Sequence, residues 1–321
     1  MKRVVLAIIK DDQDIDLWSP YFNKISPTIH MLRIEDLAET MSSLLGMDIY
    51  SPLIIISTRL YPNASPSLIE DIREWFPNSE FLLLASSSDD FPPLQPLVRD
   101  NVRHLVINPE SSHLLNVDRE SAQLCTAVSK LIEGKPLKIR DYLKPGTETY
   151  EFRVSSSEQK EELISGLEEL ISGDGPEIEL LRQKGALLVD EMFENALYGA
   201  PHQKNGAFIY AKGQFRQIDA RETIILRYGF DGECIAMEME DNWGSLSPDA
   251  VLECLAVNHD SNEFCEENGG RGLFIIWRFL DHLHVHIDPG RQTVVGGQVK
   301  LLTAENLVEK KGFHITTGST T

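Results

Sequence analysis

"TIILRYGFDGECIAMEMED", residues 223–241, is the stretch on which the fold turns. Apolar and polar residues alternate in two runs, as half-buried strands require, and "GFDGE" between them carries the Gly and Asp of a tight turn. The stretch therefore reads as a β-hairpin whose second strand delivers Asp241 to a sheet end. There "NWGSL" breaks the alternation, so Asp241 either closes a solvated strand at an ordinary turn or presents a lone carboxylate to something that can read it.

Working outward, "YEFRVSSS" alternates like another half-buried strand, and Ser157 stands as the start signal of an amphipathic helix in "EQKEELISGLEELIS". After the turn "GDGP", Pro176 opens a long helix through "EIELLRQKGALLVDEMFENALYGA". Glu191 and Asn195 lie one helical turn apart within it and share a face. Taken alone, that pair fits a solvated helix edge as well as a ligand site. About two dozen residues after Asp241 comes "ENGGRGLFIIWRFLDHLHVHI", with glycines at 269, 270 and 272 before an apolar-rich helix and then a strand. Glycine lets backbone approach a ligand, and a helix N-terminus offers free N–H groups to phosphate, although a tight loop explains the same glycines.

Taken in order, strand, helix, Glu-x-x-x-Asn-Ala on a second helix, strand-end Asp, variable segment and "GGRGLF" helix start, residues 150–303 resemble the Bergerat-fold ATPases. That family includes histidine-kinase catalytic domains and anti-sigma-factor serine kinases, and "GGRGLFIIWRFLD" is most similar to the latter. The resemblance implies ATP and Mg²⁺ as ligands. Asn195 matches the magnesium ligand and Glu191 the acidic residue that orients or deprotonates the attacking group. Asp241 matches the carboxylate that accepts from the adenine amino group. Gly270, Arg271 and Gly272 match the loop entering the phosphate-facing helix, and residues 245–268 match a mobile lid. Where the family has Asp-x-Gly-x-Gly, this chain has Asp241, Asn242, Trp243, Gly244 and Ser245. Gly244 is kept as a binding candidate, while an indole stands at the first family glycine; Trp243 suits a core or hinge position as well as a surface that stacks on a base. Gly199 and Ala200 stand where a histidine or lysine usually follows the Asn. Both departures weigh on turnover more than on binding, because phosphoryl transfer needs accurate positioning.

Residues 1–132 alternate near-continuous apolar runs, "RVVLAII", "PLIIIS", "EFLLLAS" and "VRHLVIN", with amphipathic segments. Such runs imply strands covered on both faces, hence a parallel α/β sheet with function at the strand carboxyl ends. Asp11, Asp12, Ser57, Ser86 and Asn108 stand at those ends, in an order that resembles a response-regulator receiver domain. The family's phosphoacceptor falls on Ser57 and its lysine on Asn108, so aspartyl phosphate cannot form there and the resemblance implies a docking or dimerisation module.

The expected architecture is α/β throughout. A flavodoxin-like receiver domain over 1–132 and a linker over 133–150 precede a histidine-kinase-like α/β sandwich over 151–310 and a flexible tail over 311–321. Thirty Lys plus Arg against fifty Asp plus Glu leave a formal charge of −20 on 321 residues, which disfavours direct nucleic-acid binding. Four cysteines without Cys-x-x-Cys spacing and no apolar run near the roughly eighteen residues of a span suggest a cytoplasmic protein with reduced thiols and no membrane association. His282, His284 and His286 invite a metal reading, but ordinary strand positions suit them better. No histidine helix of the kind that autophosphorylates is present in the sequence, which weighs against an intact two-component phosphorelay protein.

The function expected is an ATP-binding signalling protein, a serine/threonine kinase of the anti-sigma type or a derivative. It would act on a regulatory protein such as an anti-anti-sigma-like protein or a sigma factor, with homodimerisation also expected. The alternative is a noncatalytic nucleotide-dependent switch or scaffold.

Overall fold

The computed structural model of the chain describes residues 4–25, 29–44, 52–61, 68–85, 91–107, 117–203, 207–261, 271–301 and 311–318. It divides into two compact units, Met1–Leu137 and Lys138–Thr321.

The first unit runs β1 (Val5–Ile9), α1 (Asp12–Ile25), β2 (Ile29–Arg33), α2 (Leu37–Leu44), β3 (Leu53–Ser57), α3 (Leu68–Trp75), β4 (Glu80–Ala85), α4 (Leu94–Arg99), β5 (His104–Ile107) and α5 (Val117–Glu133). Its strands pair in parallel in the order β2-β1-β3-β4-β5. This is the flavodoxin-like order of doubly wound sheets. The four apolar runs of the sequence became β1, β3, β4 and β5, and every residue of β1 and β3 is buried. β2 was not among those runs. It is an edge strand with no fully buried residue, and "IHMLR" accordingly lacks the continuous apolar signal.

The second unit contains β6 (Tyr150–Arg153), α6 (Lys160–Leu170), α7 (Pro176–Glu194), β7 (Ile224–Phe230), β8 (Cys234–Asp241), α8 (Pro248–Ser261), α9 (Arg271–Phe279), β9 (His282–Asp288), β10 (Gln292–Lys300) and β11 (Gly312–Thr317). The strand order is β11-β9-β10-β8-β7-β6, antiparallel except for the parallel pair β11–β9. β7 and β8 form the hairpin expected from residues 223–241, in the register Ile224 opposite Asp241.

The alternation sorts the sheet into two chemically distinct faces. Ile235, Met237, Met239, Leu226, Tyr228, Leu283, Val285 and Ile287 are buried on the face that carries the helices, where the Tyr228 hydroxyl stands against Gly166 of α6. The other face is polar. Arg227 bridges Glu238 and Glu240, and His284 stands 3.4 Å from Glu238. Burial alone would raise the Glu238 carboxyl, but His284 and Arg227 bring it below the usual range. The segment entering this unit crosses that face: Ile139 N–H donates to Glu238 (3.2 Å), and the Tyr142 hydroxyl meets Nδ1 of His282 (3.0 Å) and of His284 (3.1 Å). The three histidines of β9 thus occupy strand positions. Among the described residues no group of three His, Cys, Asp or Glu is placed to hold a metal ion.

Three local expectations are revised. The helix start at Ser157 is a 3-10 turn, Ser157–Gln159, preceded by Ser156; Gln159 accepts from the backbone of Ser155 and Ser156, and the Ser157 hydroxyl accepts from Arg216 N–H instead. The stretch expected to be a flexible tail contains β11, whose Phe313 and Ile315 are wholly buried against β9. Only residues 319–321 of it lie outside the described residues. Within the expected lid, α8 is a packed helix with Val251, Leu252, Leu255 and Ala256 buried, so that part is core rather than mobile; residues 262–268 lie outside the described residues.

Candidate functional site

The last α-helical turn of α7 carries Glu191, and Asn195 begins a π turn, Asn195–Gly199, in which Ala200 N–H reaches back five residues to Asn195 C=O at 2.7 Å. Such one-turn π bulges recur where a helix must re-aim a functional side chain. The turn packs against β8. Its end is capped by Arg216, which is 3% exposed and donates to Leu197 C=O while pairing with Glu222 and lying over the Tyr210 ring at 3.7 Å. A guanidinium at a helix C-terminus satisfies an orphan carbonyl and opposes the negative end of the dipole.

Gly272, in the first turn of α9, brings a second helix to the same place. A Cβ on it would stand 2.6 Å from Asn195 Oδ1, 2.8 Å from Asn195 Nδ2 and 3.0 Å from Glu191 Oε2. Any larger residue there would have to displace the Asn195 and Glu191 side chains. Gly272, distant in sequence from Glu191 and Asn195, is therefore in contact range of both at a helix N-terminus. Gly270 lies outside the described residues, and Arg271 is placed only as the first residue of α9.

Asp241 ends β8 on the helix-bearing face, in register with Thr293 of β10 on one side and Ile224 of β7 on the other. It is 6% exposed, and its Oδ1 accepts from Trp243 N–H at 2.8 Å. Burial pushes the carboxyl up to about 6 against the pull of the Trp243 and Gly244 backbone N–H groups. At neutral pH it is mostly ionised, a strong acceptor held in a place that resists charge. Beside it, the Thr293 hydroxyl is buried with no hydrogen-bond partner, as is Trp243 Nε1. Buried polar groups without partners are rare and call for an explanation.

Gly244 (φ +55°) has a different neighbourhood. A Cβ there would strike the Asp288 carbonyl and stand 2.6 Å from the backbone N of Gly290 and of Arg291, and Gly290 N–H donates to Gly244 C=O at 3.0 Å. Packing against the β9–β10 turn accounts for this glycine without a ligand.

In the first unit, Ser57 ends β3 and is buried, whereas Ser86 and Asn108 lie outside the described residues. The carboxylates at the end of β1 are neutralised within the chain. Arg59 donates to both oxygens of Asp11 (3.1 and 2.9 Å) and to Asp14 (2.8 Å), and Asp12 pairs with Arg33. The Arg59 contact holds the Asp11 carboxyl below its ordinary value.

Arg59, Arg216 and Thr293 escaped the sequence reading. A basic residue two positions after Ser57 was a visible signal for the first. Thr293 could be matched to Asp241 only through the β8–β10 register, and Arg216 sits in a loop with no periodicity.

No family model matches the chain, and no curated protein matches it. Among solved structures, the RcsB response regulator of Salmonella typhimurium, reported for conformational dynamism in DNA interaction, is similar over 59% of this chain and 92% of that one, at 15% identity and a TM-score of 0.28. At that identity and score the likeness decides neither fold nor function.

Proposed function

We propose that the second unit binds ATP with Mg²⁺ and serves a signalling protein that transfers phosphate to a hydroxyl of a protein partner, in the manner of the anti-sigma serine kinases of the Bergerat-fold group. The observation that carries this reading is the meeting of Glu191 and Asn195 with the glycine-opened start of α9. Two features support the fit. The cradle between Asn195 and α9 is one that a Cβ at Gly272 would fill, and an unpartnered Thr293 hydroxyl adjoins the buried Asp241 carboxylate.

In this reading Asp241 accepts from the adenine amino group, and Thr293 supplies a hydroxyl that can donate or accept beside it. Asn195 offers the carboxamide oxygen that a hard cation takes, and the first turn of α9 directs N–H groups toward phosphate. Glu191, one turn before Asn195, orients the partner's hydroxyl and receives its proton. Bound Mg-ATP supplies the phosphoryl group and the charge neutralisation of the transfer. The partner is a regulatory protein of the anti-anti-sigma or sigma-factor kind. The first unit, with its Asp11 and Asp14 carboxylates held by Arg59, acts as an interaction module without phosphoryl chemistry.

A noncatalytic switch is the second reading, favoured by Trp243 at the strand end and by Gly199 and Ala200 at the positions where a histidine or lysine usually follows the Asn. Calorimetric titration with ATP and a nonhydrolysable analogue, with and without Mg²⁺, tests the proposal. Mg-dependent binding that is weakened about tenfold or more in both Asp241→Asn and Asn195→Ala is expected. No heat under any condition would remove it, and tight binding without phosphate release or transfer to added partner proteins would leave the switch.

A further inference from the structure

After the π turn, residues 200–203 and 207–222 expose an apolar surface whose backbone is held by hydrogen bonds. Phe208, Ile209 and Phe215 are 54%, 40% and 61% exposed. Their backbone is fixed from beneath: the Tyr198 hydroxyl donates to Gln214 C=O, Arg216 N–H donates to the Ser157 hydroxyl, and the Phe208 ring packs on His202. The buried Arg216–Glu222 pair closes the segment. Exposed aromatic residues on a pre-ordered loop lose little entropy when covered, which favours a binding surface.

Charge says what covers it. From Asn195 through Ile218 the sequence contains no Asp or Glu, in a chain that carries fifty, and Lys212 is exposed beside the aromatics. The complementary surface is on the same unit. From Glu161 through Leu180 there is no Lys or Arg, while Glu169, Asp174, Glu177 and Glu179 are exposed next to Leu180, itself 39% exposed; of these Glu179 meets Arg182 at 3.5 Å. α6 and α7 form an antiparallel pair, closely packed at Gly185 and Leu167. The aromatic loop stands at the end where α7 finishes and α6 begins, and the acidic turn at the other end. The nineteen residues of α7 separate them by about 28 Å, too far for one chain to join its own two surfaces.

We propose that a second copy of this chain covers the loop, related by a two-fold axis across α7, so that the loop of each copy seats Phe208, Ile209 and Phe215 against Leu180 and sets Lys212 near Glu177 of the other. One rotation makes both contacts at once, the self-complementary arrangement that closed dimers use. It also runs the two α7 dipoles antiparallel. The proposal is independent of what the nucleotide site does.

Sedimentation velocity of the full chain from about 1 to about 100 µM, a range bracketing ordinary dimer affinities, is the test. A dimer is expected, with its dissociation constant raised about tenfold or more by Phe208→Ser with Phe215→Ser. Lys212→Glu should weaken it likewise, and adding Glu177→Lys to that variant should restore it, an outcome that a misfolded loop cannot mimic. A chain monomeric at every concentration overturns the proposal, as does a dimer indifferent to these changes. A monomer that instead binds phosphatidylserine vesicles through Phe208 and Phe215 also overturns it, assigning the surface to lipid.

Discussion

In the proposed reading, Asp241 sets function against stability. Its carboxyl titrates near 3.8 when exposed and is raised to about 6 by burial, so the folded chain holds the proton more tightly than the unfolded chain does. For this group stability is greatest below pH 4, falls as pH rises through the window from 4 to 6, and carries its full deficit of about 3 kcal/mol above it. Asparagine cannot ionise. The stability of Asp241→Asn relative to the native chain should therefore improve by about 3 kcal/mol between pH 4 and pH 7 in urea unfolding, while its ATP binding is weakened about tenfold or more. A difference independent of pH would mean that the carboxyl is not raised. The same protonation should weaken ATP binding to the native chain as pH falls through 6, because a neutral acid is a poorer acceptor for an amino group.

At the scale of elements, two glycines separate packing from function. Gly272→Ala pushes Asn195 and Glu191 off the start of α9, two side chains that can move, so a small loss of stability with a clear loss of Mg-dependent nucleotide binding is expected. Gly244→Ala meets three backbone atoms of the β9–β10 turn at positive φ, and should cost roughly 3 kcal/mol or more in thermal or urea unfolding whatever is bound. These outcomes bear on what the sequence made legible. The hairpin around "GFDGE", the long helix after Pro176 and the buried strands of the first unit were readable because alternation, start signals and continuous apolar runs are local. β2 was not, since an edge strand needs no continuous apolar run. β11 was hidden because "GFHITT" runs straight into polar residues, and only its pairing with β9 makes Phe313 and Ile315 core. α8 was concealed by the expectation that a segment between two motifs moves. Gly244 and Gly272 look alike in sequence; only their neighbours distinguish a wedge from a cradle.

For the molecule as a whole, the first unit is internally balanced where a phosphorylatable domain would be charged. Asp14 is 1% exposed and depends on Arg59 and the Lys10 backbone N–H. Removing the guanidinium in Arg59→Ala leaves a buried carboxylate without its cation, and a loss of about 3 kcal/mol from that unit is expected in urea unfolding, with nucleotide binding by the second unit unchanged. An unaltered unfolding midpoint would show that the pair contributes nothing.

The π turn at Asn195–Gly199 bears on inheritance. It holds one residue more than an α-helical turn would between Asn195 and the loop that follows. Removing one residue inside it would return the helix to its ordinary winding and leave Glu191 and Asn195 where they are, with the entry to the loop that follows kept near its present angle, because a π turn absorbs its extra residue locally. A one-residue change in length at this point is therefore tolerated by both sides of the turn, and keeps Glu191 and Asn195 facing the start of α9.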